Sequence, residues 1–281
     1  MKCPICSGET IRLFQTNGYW IRECIACGHR LADIMPEAGH VGQVYGDHYF
    51  FGDVDGYPDY LSEEALLTAT GRRYGQLVKS YLSPGTLLDV GCAAGFLSKG
   101  FQEAGWEVLG LEPNARMAEH ARQQGIEVIT GSLEDFHTIE RFDLIVMIQV
   151  VPHLFNLHNA LDAAVALTKP GGFWLIETWD RDSLTARIFG HRWHEYSPPS
   201  VLHYFSREGL GRLVQRYGFD PIAHGRPIKR LNGQHAKSLL KHNLSGEFLS
   251  WLVKAGIILI PDTMVLPYPS FDLFWMLAQK S

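Results

Sequence analysis

Two groups of residues have types and spacings that can do chemistry. Cys3, Cys6, Cys24 and Cys27 follow the pattern C-x2-C-x17-C-x2-C. Each pair delivers two thiolates from one tight turn, and four thiolates close a tetrahedron around Zn2+ with no open position, so such a site is structural. Gly28 and the Ser7-Gly8 pair let the backbone curl back toward the sulfurs. The second group is Asp89, Gly91, Ala93 and Gly95, in the stretch LLDVGCAAGFLSKGF from Leu87 to Phe101, with Glu112 downstream. An apolar run, a turn of small residues and an apolar-faced helix pattern make the strand-loop-helix opening of a nucleotide-binding α/β unit. A dinucleotide fingerprint needs three glycines, but Ala93 holds the second position and Phe96 blocks the third. The loop instead suits an adenosine with an amino-acid tail and no phosphates. The helix N-terminus offers free N–H groups to a carboxylate. Asp89 faces an ammonium or orders the loop, and Glu112, at the end of the next strand pattern, accepts both ribose hydroxyls.

Asp89, Gly91, Gly95 and Glu112 fall on the motif positions of class I S-adenosylmethionine-dependent methyltransferases, which this stretch resembles. Ala93 stands where that family usually has glycine. The resemblance implies S-adenosylmethionine as cofactor and methyl transfer as the reaction. It also implies further site residues. Arg72 or Arg73, in the helix before the loop, would bind the cofactor carboxylate, and Pro113 follows the ribose-binding Glu112. Leu133 and Glu134 would meet the adenine edge, and Gln149 closes the fourth strand. Where the family often has an acidic residue and then histidine, this chain has Pro152-His153, which leaves His153 as a candidate general base. The Lys169-Pro170-Gly171-Gly172 turn before a fifth strand is another shared feature.

The elements that must position these residues alternate. Helix patterns run from Ser62 toward Pro84, from Asn114 to Gln124 and from Asn159 to Leu167; strand patterns cover Glu107–Leu111, Glu127–Thr130, Phe142–Ile148 and Phe173–Thr178. Five strands alternating with helices predict a parallel sheet with right-handed crossovers. Gly218–Ala223 and Phe271–Ala278 read as a sixth and a seventh strand, and the resemblance implies a Rossmann-like α/β fold, a mostly parallel seven-stranded sheet with helices on both faces. Ligands then lie at the carboxyl ends of the strands. We expect a zinc ribbon over 1–38, with strands at Thr10–Phe14 and Tyr19–Glu23, and a methyltransferase domain over 39–281. The aromatic run Tyr45–Phe51 is expected to fold over the site. Residues 180–205, rich in aromatics and histidine, are expected to form an acceptor lid in which Trp193, His194, Tyr196, His203 and Tyr204 face the substrate, with His194 and His203 as further base candidates. A helical insertion is expected at about 225–270, with helix patterns at His235–Leu244 and Gly246–Ile260.

Net charge is −5, which argues against a general nucleic-acid binder. Residues 181–245 nonetheless carry eleven Lys/Arg against four Asp/Glu, a basic region suited to an anionic substrate or to a solvated surface. No apolar stretch reaches the roughly 20 residues of a membrane span, and a cytoplasmic location is expected. The leading expectation is a small-molecule methyltransferase acting on a hydroxyl of a sugar, glycan or secondary metabolite, with an acceptor that is anionic or sugar-linked. Two other classes compete. An RNA methyltransferase would grip RNA through the ribbon, but four Lys/Arg against three Asp/Glu up to Asp33 is too balanced for a phosphate grip. A non-enzymatic S-adenosylmethionine-binding module would keep Asp89 and Glu112 without turnover.

Overall fold

The computed structural model describes residues 1–34, 39, 42, 44–46, 50, 60–232, 265–268 and 270–281. Strands β4 (Thr86–Val90), β5 (Glu107–Glu112), β6 (Glu127–Thr130), β7 (Phe142–Ile148) and β8 (Thr168–Trp179) pair in parallel in the order β8-β7-β4-β5-β6. β13 (Leu273–Lys280) adds antiparallel to β8, and β10 (Phe219–Gly225) closes that edge. The expected mostly parallel seven-stranded sheet is therefore present. The chain runs outward from β4 to β6 and returns to β7, so the connections diverge between β4 and β7. A crevice opens there at the carboxyl ends.

The central strands are apolar because both faces are covered. Ile145 and Met147 point to one side of β7, and Leu144 and Val146 to the other. The first side packs on α4 (Leu157–Leu167) and α5 (Arg207–Arg216), the second on α1 (Glu64–Val78) and α2 (Phe96–Glu103). α3 (Ala115–Gln123) packs its Ala118 and Ala121 against Val128 and Ile126. Its cap is Asn114, whose side chain accepts from the Met117 N–H, so Pro113 lies before the helix and not at its first position. α1 and α2 cross closely: a Cβ added at Gly100 would stand 2.1 Å from the Thr68 carbonyl oxygen.

At the N-terminus β1 (Thr10–Thr16) and β2 (Tyr19–Cys24) form a hairpin, as the pattern expects, and β3 (Arg30–Ala32) extends it. This small sheet does not end within the segment. Its fourth strand is β9 (His203–Tyr204), from the stretch after β8. Trp193, Tyr196 and Tyr204, expected to face a substrate, are buried against Ile21 and Ala32 and fill a core shared with the N-terminal sheet. Their polar atoms are spent there. Arg30 donates to the Tyr196 hydroxyl at 2.7 Å, Tyr204 donates to the Val201 carbonyl at 2.9 Å, and the Trp193 indole donates to Asp272 at 3.1 Å. The patterns at His235–Leu244 and Gly246–Ile260 lie outside the described residues. The stretch around them is flanked by an unforeseen ladder, β11 (Lys229–Asn232) with β12 (Val265–Tyr268).

Candidate active site and four-cysteine centre

A cavity of about 400 Å³ opens at the carboxyl ends of the sheet. On its β4–β6 side the Gly91–Gly95 loop faces Glu112. Gly91 and Ala93 both adopt positive φ, 68° and 47°, and line the cavity. That turn swings the Ala93 N–H onto Glu112 Oε2 at 2.8 Å, while the Asn114 N–H reaches Oε1 at 2.8 Å. Each carboxylate oxygen is thereby aimed and keeps lone-pair capacity for a hydroxyl. Burial pushes the Glu112 carboxyl up to about 7 against the pull of these two N–H groups. Pro113, Leu133, Glu134 and Gln149 also line the cavity.

Three of the expected cofactor residues lie elsewhere. Asp89 is buried and does not line the cavity. It accepts from the Ser98 hydroxyl at 2.5 Å, tying β4 to α2, and burial raises its carboxyl to about 7. It orders the loop instead of meeting an ammonium. Gly95 (φ 78°) caps α2 from behind the loop, where a Cβ would press on Ala121 at 2.9 Å. Arg72 turns outward and pairs with Glu103 of α2, with its Nε 2.8 Å from Oε2; the reason is that its helix face meets α2 and not the crevice. Arg73 donates to Thr70 and to the Ile228 carbonyl, and neither arginine lines the cavity. Cys92 is buried, packed under Gly110.

The three histidines separate. His153 lines the cavity, and its Nδ1 lies 2.7 Å from the Ser200 carbonyl and 3.1 Å from the Tyr45 hydroxyl. A carbonyl only accepts, so Nδ1 carries the proton and the lone pair of the neutral ring sits on Nε2. Burial lowers the His153 pKa below its ordinary value, which keeps the ring neutral near pH 7. His194 also lines the cavity, edge-on to Trp179 with ring centroids 4.7 Å apart, and exposes 49 % of its side chain. His203 does not. It is buried, donates from Nε2 to the Leu154 carbonyl at 3.2 Å, stacks on His29, and burial drives its pKa to about 4. It is a packing residue of β9 and is withdrawn as a base. Of the described members of the expected covering segment, Tyr45 and Phe50 line the cavity; Asn114 Nδ2 donates to the Tyr45 carbonyl at 3.0 Å.

Sequence reasoning missed the β8 side of the cavity. Glu177 is fully buried at the end of β8 and lines the cavity; it accepts from the Tyr74 hydroxyl and, at 3.0 Å, from Gln149 Nε2. Lys229 Nζ stands 3.4 Å from Glu177 Oε1, the oxygen that also accepts from Gln149, and 5.5 Å above the Trp179 ring. The signal was available: an acid inside the apolar run Phe173–Trp179 must be paired when its strand is covered on both faces.

In the N-terminal segment, the four cysteine sulfurs all lie within 4.8 Å of one another. The closest approaches, Cys3 to Cys27 at 3.5 Å and Cys6 to Cys24 at 3.4 Å, exceed a disulfide bond of about 2.05 Å and approach the edge of about 3.8 Å of a tetrahedron with 2.3 Å arms. Two tight turns present them, closed by Ser7 N–H on the Cys3 carbonyl and Gly28 N–H on the Cys24 carbonyl. The positive φ of Ser7 (62°) and Gly28 (69°) completes each turn.

Comparisons with known proteins agree with this geometry. A family model described as a methyltransferase domain matches residues 66–224. A ubiquinone biosynthesis O-methyltransferase of Nitrobacter winogradskyi is 31 % identical over 150 residues, which cover 46 % of this chain and 58 % of that protein. One from Rhodopseudomonas palustris is 28 % identical over 180 residues, 55 % of this chain and 71 % of that one. The chain thus spans only part of these relatives' lengths, 58 % of the first and 71 % of the second. Among solved structures, the Burkholderia thailandensis 1,6-didemethyltoxoflavin-N1-methyltransferase with bound S-adenosylhomocysteine superposes with a TM-score of 0.55 at 17 % identity, over 92 % of this chain and 97 % of that one. With the family model covering more than half of the chain and the fold matching, the chain belongs to the methyltransferase-domain family of class I S-adenosylmethionine-dependent methyltransferases.

Proposed function

We propose that this chain transfers the methyl group of S-adenosylmethionine to a hydroxyl of a small molecule bound on the β7–β8 side of the cavity. The observation that carries the reading is the Glu112 carboxylate, held by the Ala93 and Asn114 N–H groups as a ribose acceptor, with His153 on the same cavity. The O-methyltransferase names of the relatives support oxygen as the methylated atom. The reaction is in-line displacement at a sulfonium methyl, for which positioning and exclusion of water supply most of the acceleration. A hydroxyl needs its proton removed as the new bond forms, and neutral His153, with its lone pair on Nε2, is the base we assign. Glu177 holds Gln149 in its left-handed conformation (φ 58°) at the boundary between the two halves of the cavity. Leu133 and Glu134 are assigned to the adenine. The test is calorimetry with S-adenosylhomocysteine followed by methyl transfer to a panel of hydroxylated acceptors. Protein that takes NAD and ignores S-adenosylhomocysteine would sink the reading.

We further propose that Cys3, Cys6, Cys24 and Cys27 bind one structural zinc ion. Their donor set fits: burial pushes the Cys3 and Cys27 thiols up, a cost that a divalent cation removes by holding them as thiolates. The ion would carry no step of the reaction and would brace the N-terminal sheet. Metal analysis of chelator-free protein should give one zinc per chain.

A further inference from the structure

The β8 side of the cavity carries charge that the transfer reaction does not use. Lys229 and Arg230 both line it from β11. Lys229 shares Glu177 with Tyr74 and Gln149, and Arg230 is exposed with no carboxylate partner among the described residues. Arg73 lies close by: burial, and next the charge of Arg230, lowers its pKa. Among the described residues, the acidic groups packed around these cations are few. Asp272 is engaged by the Trp193 indole, and burial pushes the Glu195 carboxyl up to about 8, which leaves it protonated at neutral pH. Of the other lining carboxylates, Glu112 ends β5, Glu134 follows β6, and Glu63 precedes α1. Three strand spacings separate β8 from β5, about 14 Å, so Glu112 belongs to the cofactor and not to this end. The walls beside the cations are flat and aromatic, Trp179, Phe155 and His194.

We propose that Lys229 and Arg230 form an anion-binding end of the acceptor pocket, and that the acceptor is a planar hydroxy compound bearing a carboxylate. This rests on the reading of the cavity as a methyltransferase site. A guanidinium with no carboxylate partner among the described residues, beside a half-neutralised ammonium, matches a monoanion, and a guanidinium can grip a carboxylate through two parallel N–H groups. The ring would lie against Trp179, with its hydroxyl directed to His153.

The test titrates S-adenosylhomocysteine-saturated protein with 3,4-dihydroxybenzoate and with the neutral 3,4-dihydroxybenzamide. The benzoate should bind about tenfold or more tightly than the amide, as expected for a charge-assisted hydrogen bond. Added salt should weaken the benzoate alone. Arg230→Gln, an exposed position, should remove most of that preference and leave amide binding as it was; Lys229→Gln should act the same way if it folds. Failure of the benzoate to bind, equal binding of the two probes, or a preference that survives Arg230→Gln would each overturn the proposal. Saturation by S-adenosylhomocysteine is measured first. Its failure refutes the methyltransferase reading, and its success with no anion preference refutes only this one.

Discussion

At the scale of single residues, the proposed chemistry rests on Glu112 and His153, and each can be tested alone. Glu112 is aimed by two backbone N–H groups before any ligand arrives, so its removal should be felt almost entirely in cofactor affinity. Glu112→Ala should weaken S-adenosylhomocysteine binding by about 1–3 kcal/mol in calorimetry. Its carboxyl titrates at about 7 in the ligand-free protein, raised mainly by burial. Ribose hydroxyls donating to it favour the ionised form. Binding near pH 7 should therefore release protons, visible as a heat that changes with the buffer's ionisation enthalpy. His153 makes the complementary prediction. Replacing it with Ala should lower turnover by roughly 10²–10⁴ while cofactor affinity holds. Because burial lowers its pKa, the wild-type rate should fall only on the acid side of the ordinary histidine value. A rate that is flat through that region would mean that proximity alone drives transfer.

Among the elements, the contact between α1 and α2 carries the least tolerance. At Gly100 a methyl group would meet the Thr68 carbonyl at 2.1 Å and the Arg72 amide nitrogen at 2.5 Å, both backbone atoms that cannot step aside. Gly100→Ala should cost about 1–3 kcal/mol in denaturant titration, because two packed helices must separate to admit the methyl. Arg72→Ala, on α1, removes only a half-exposed ion pair with Glu103 of α2. It should leave both stability and S-adenosylhomocysteine affinity within about 1 kcal/mol of wild type. A large loss of cofactor affinity in that variant would restore Arg72 to the cofactor site.

Over the whole molecule, the four-cysteine segment and the active site are joined by backbone. β3 pairs with β9, Leu202 donates to the Pro152 carbonyl at 2.9 Å, and the Ser200 carbonyl receives His153. Cys24→Ser should therefore release zinc and raise amide exchange at 200–204, well beyond the cysteine turns, while S-adenosylhomocysteine still binds. Stability should also follow pH in a direction set by burial. Asp89 and Glu112 have folded pKa values near 7, above their unfolded values near 4, so each binds a proton more tightly when folded. Their contribution is full below about pH 4 and is lost as pH rises through about 7. Asp143 acts the other way: burial pushes its carboxyl up, but Lys169 and the Thr86 N–H together hold it below its ordinary range, and its contribution is lost only as pH falls below the ordinary aspartate value. Ligand-free protein should therefore melt lower at pH 8 than at pH 5.5, and S-adenosylhomocysteine should narrow the difference.

Local pattern determined a good part of this protein. The apolar run into Gly91 requires a strand and a turn, because few other conformations bury Leu87, Leu88 and Val90 while admitting positive φ at Gly91. The alternation of such units determined the parallel sheet, and the C-x2-C pairs determined two thiol-bearing turns, since both are properties of neighbours in the chain. Tertiary structure decided which side chains face the cavity. Arg72 and Asp89 sit at motif positions, yet one meets Glu103 and the other Ser98, because helix packing and not spacing orients them. His203, Trp193 and Tyr196 look like substrate-facing residues in the sequence but are buried. The N-terminal sheet borrows β9 as its fourth strand, and a pairing between residues more than 170 positions apart leaves no local trace. Glu177 and Lys229 meet for the same reason. Their partnership exists only because β11 returns over the end of β8, and spacing along the chain carries no information about a contact made by the fold.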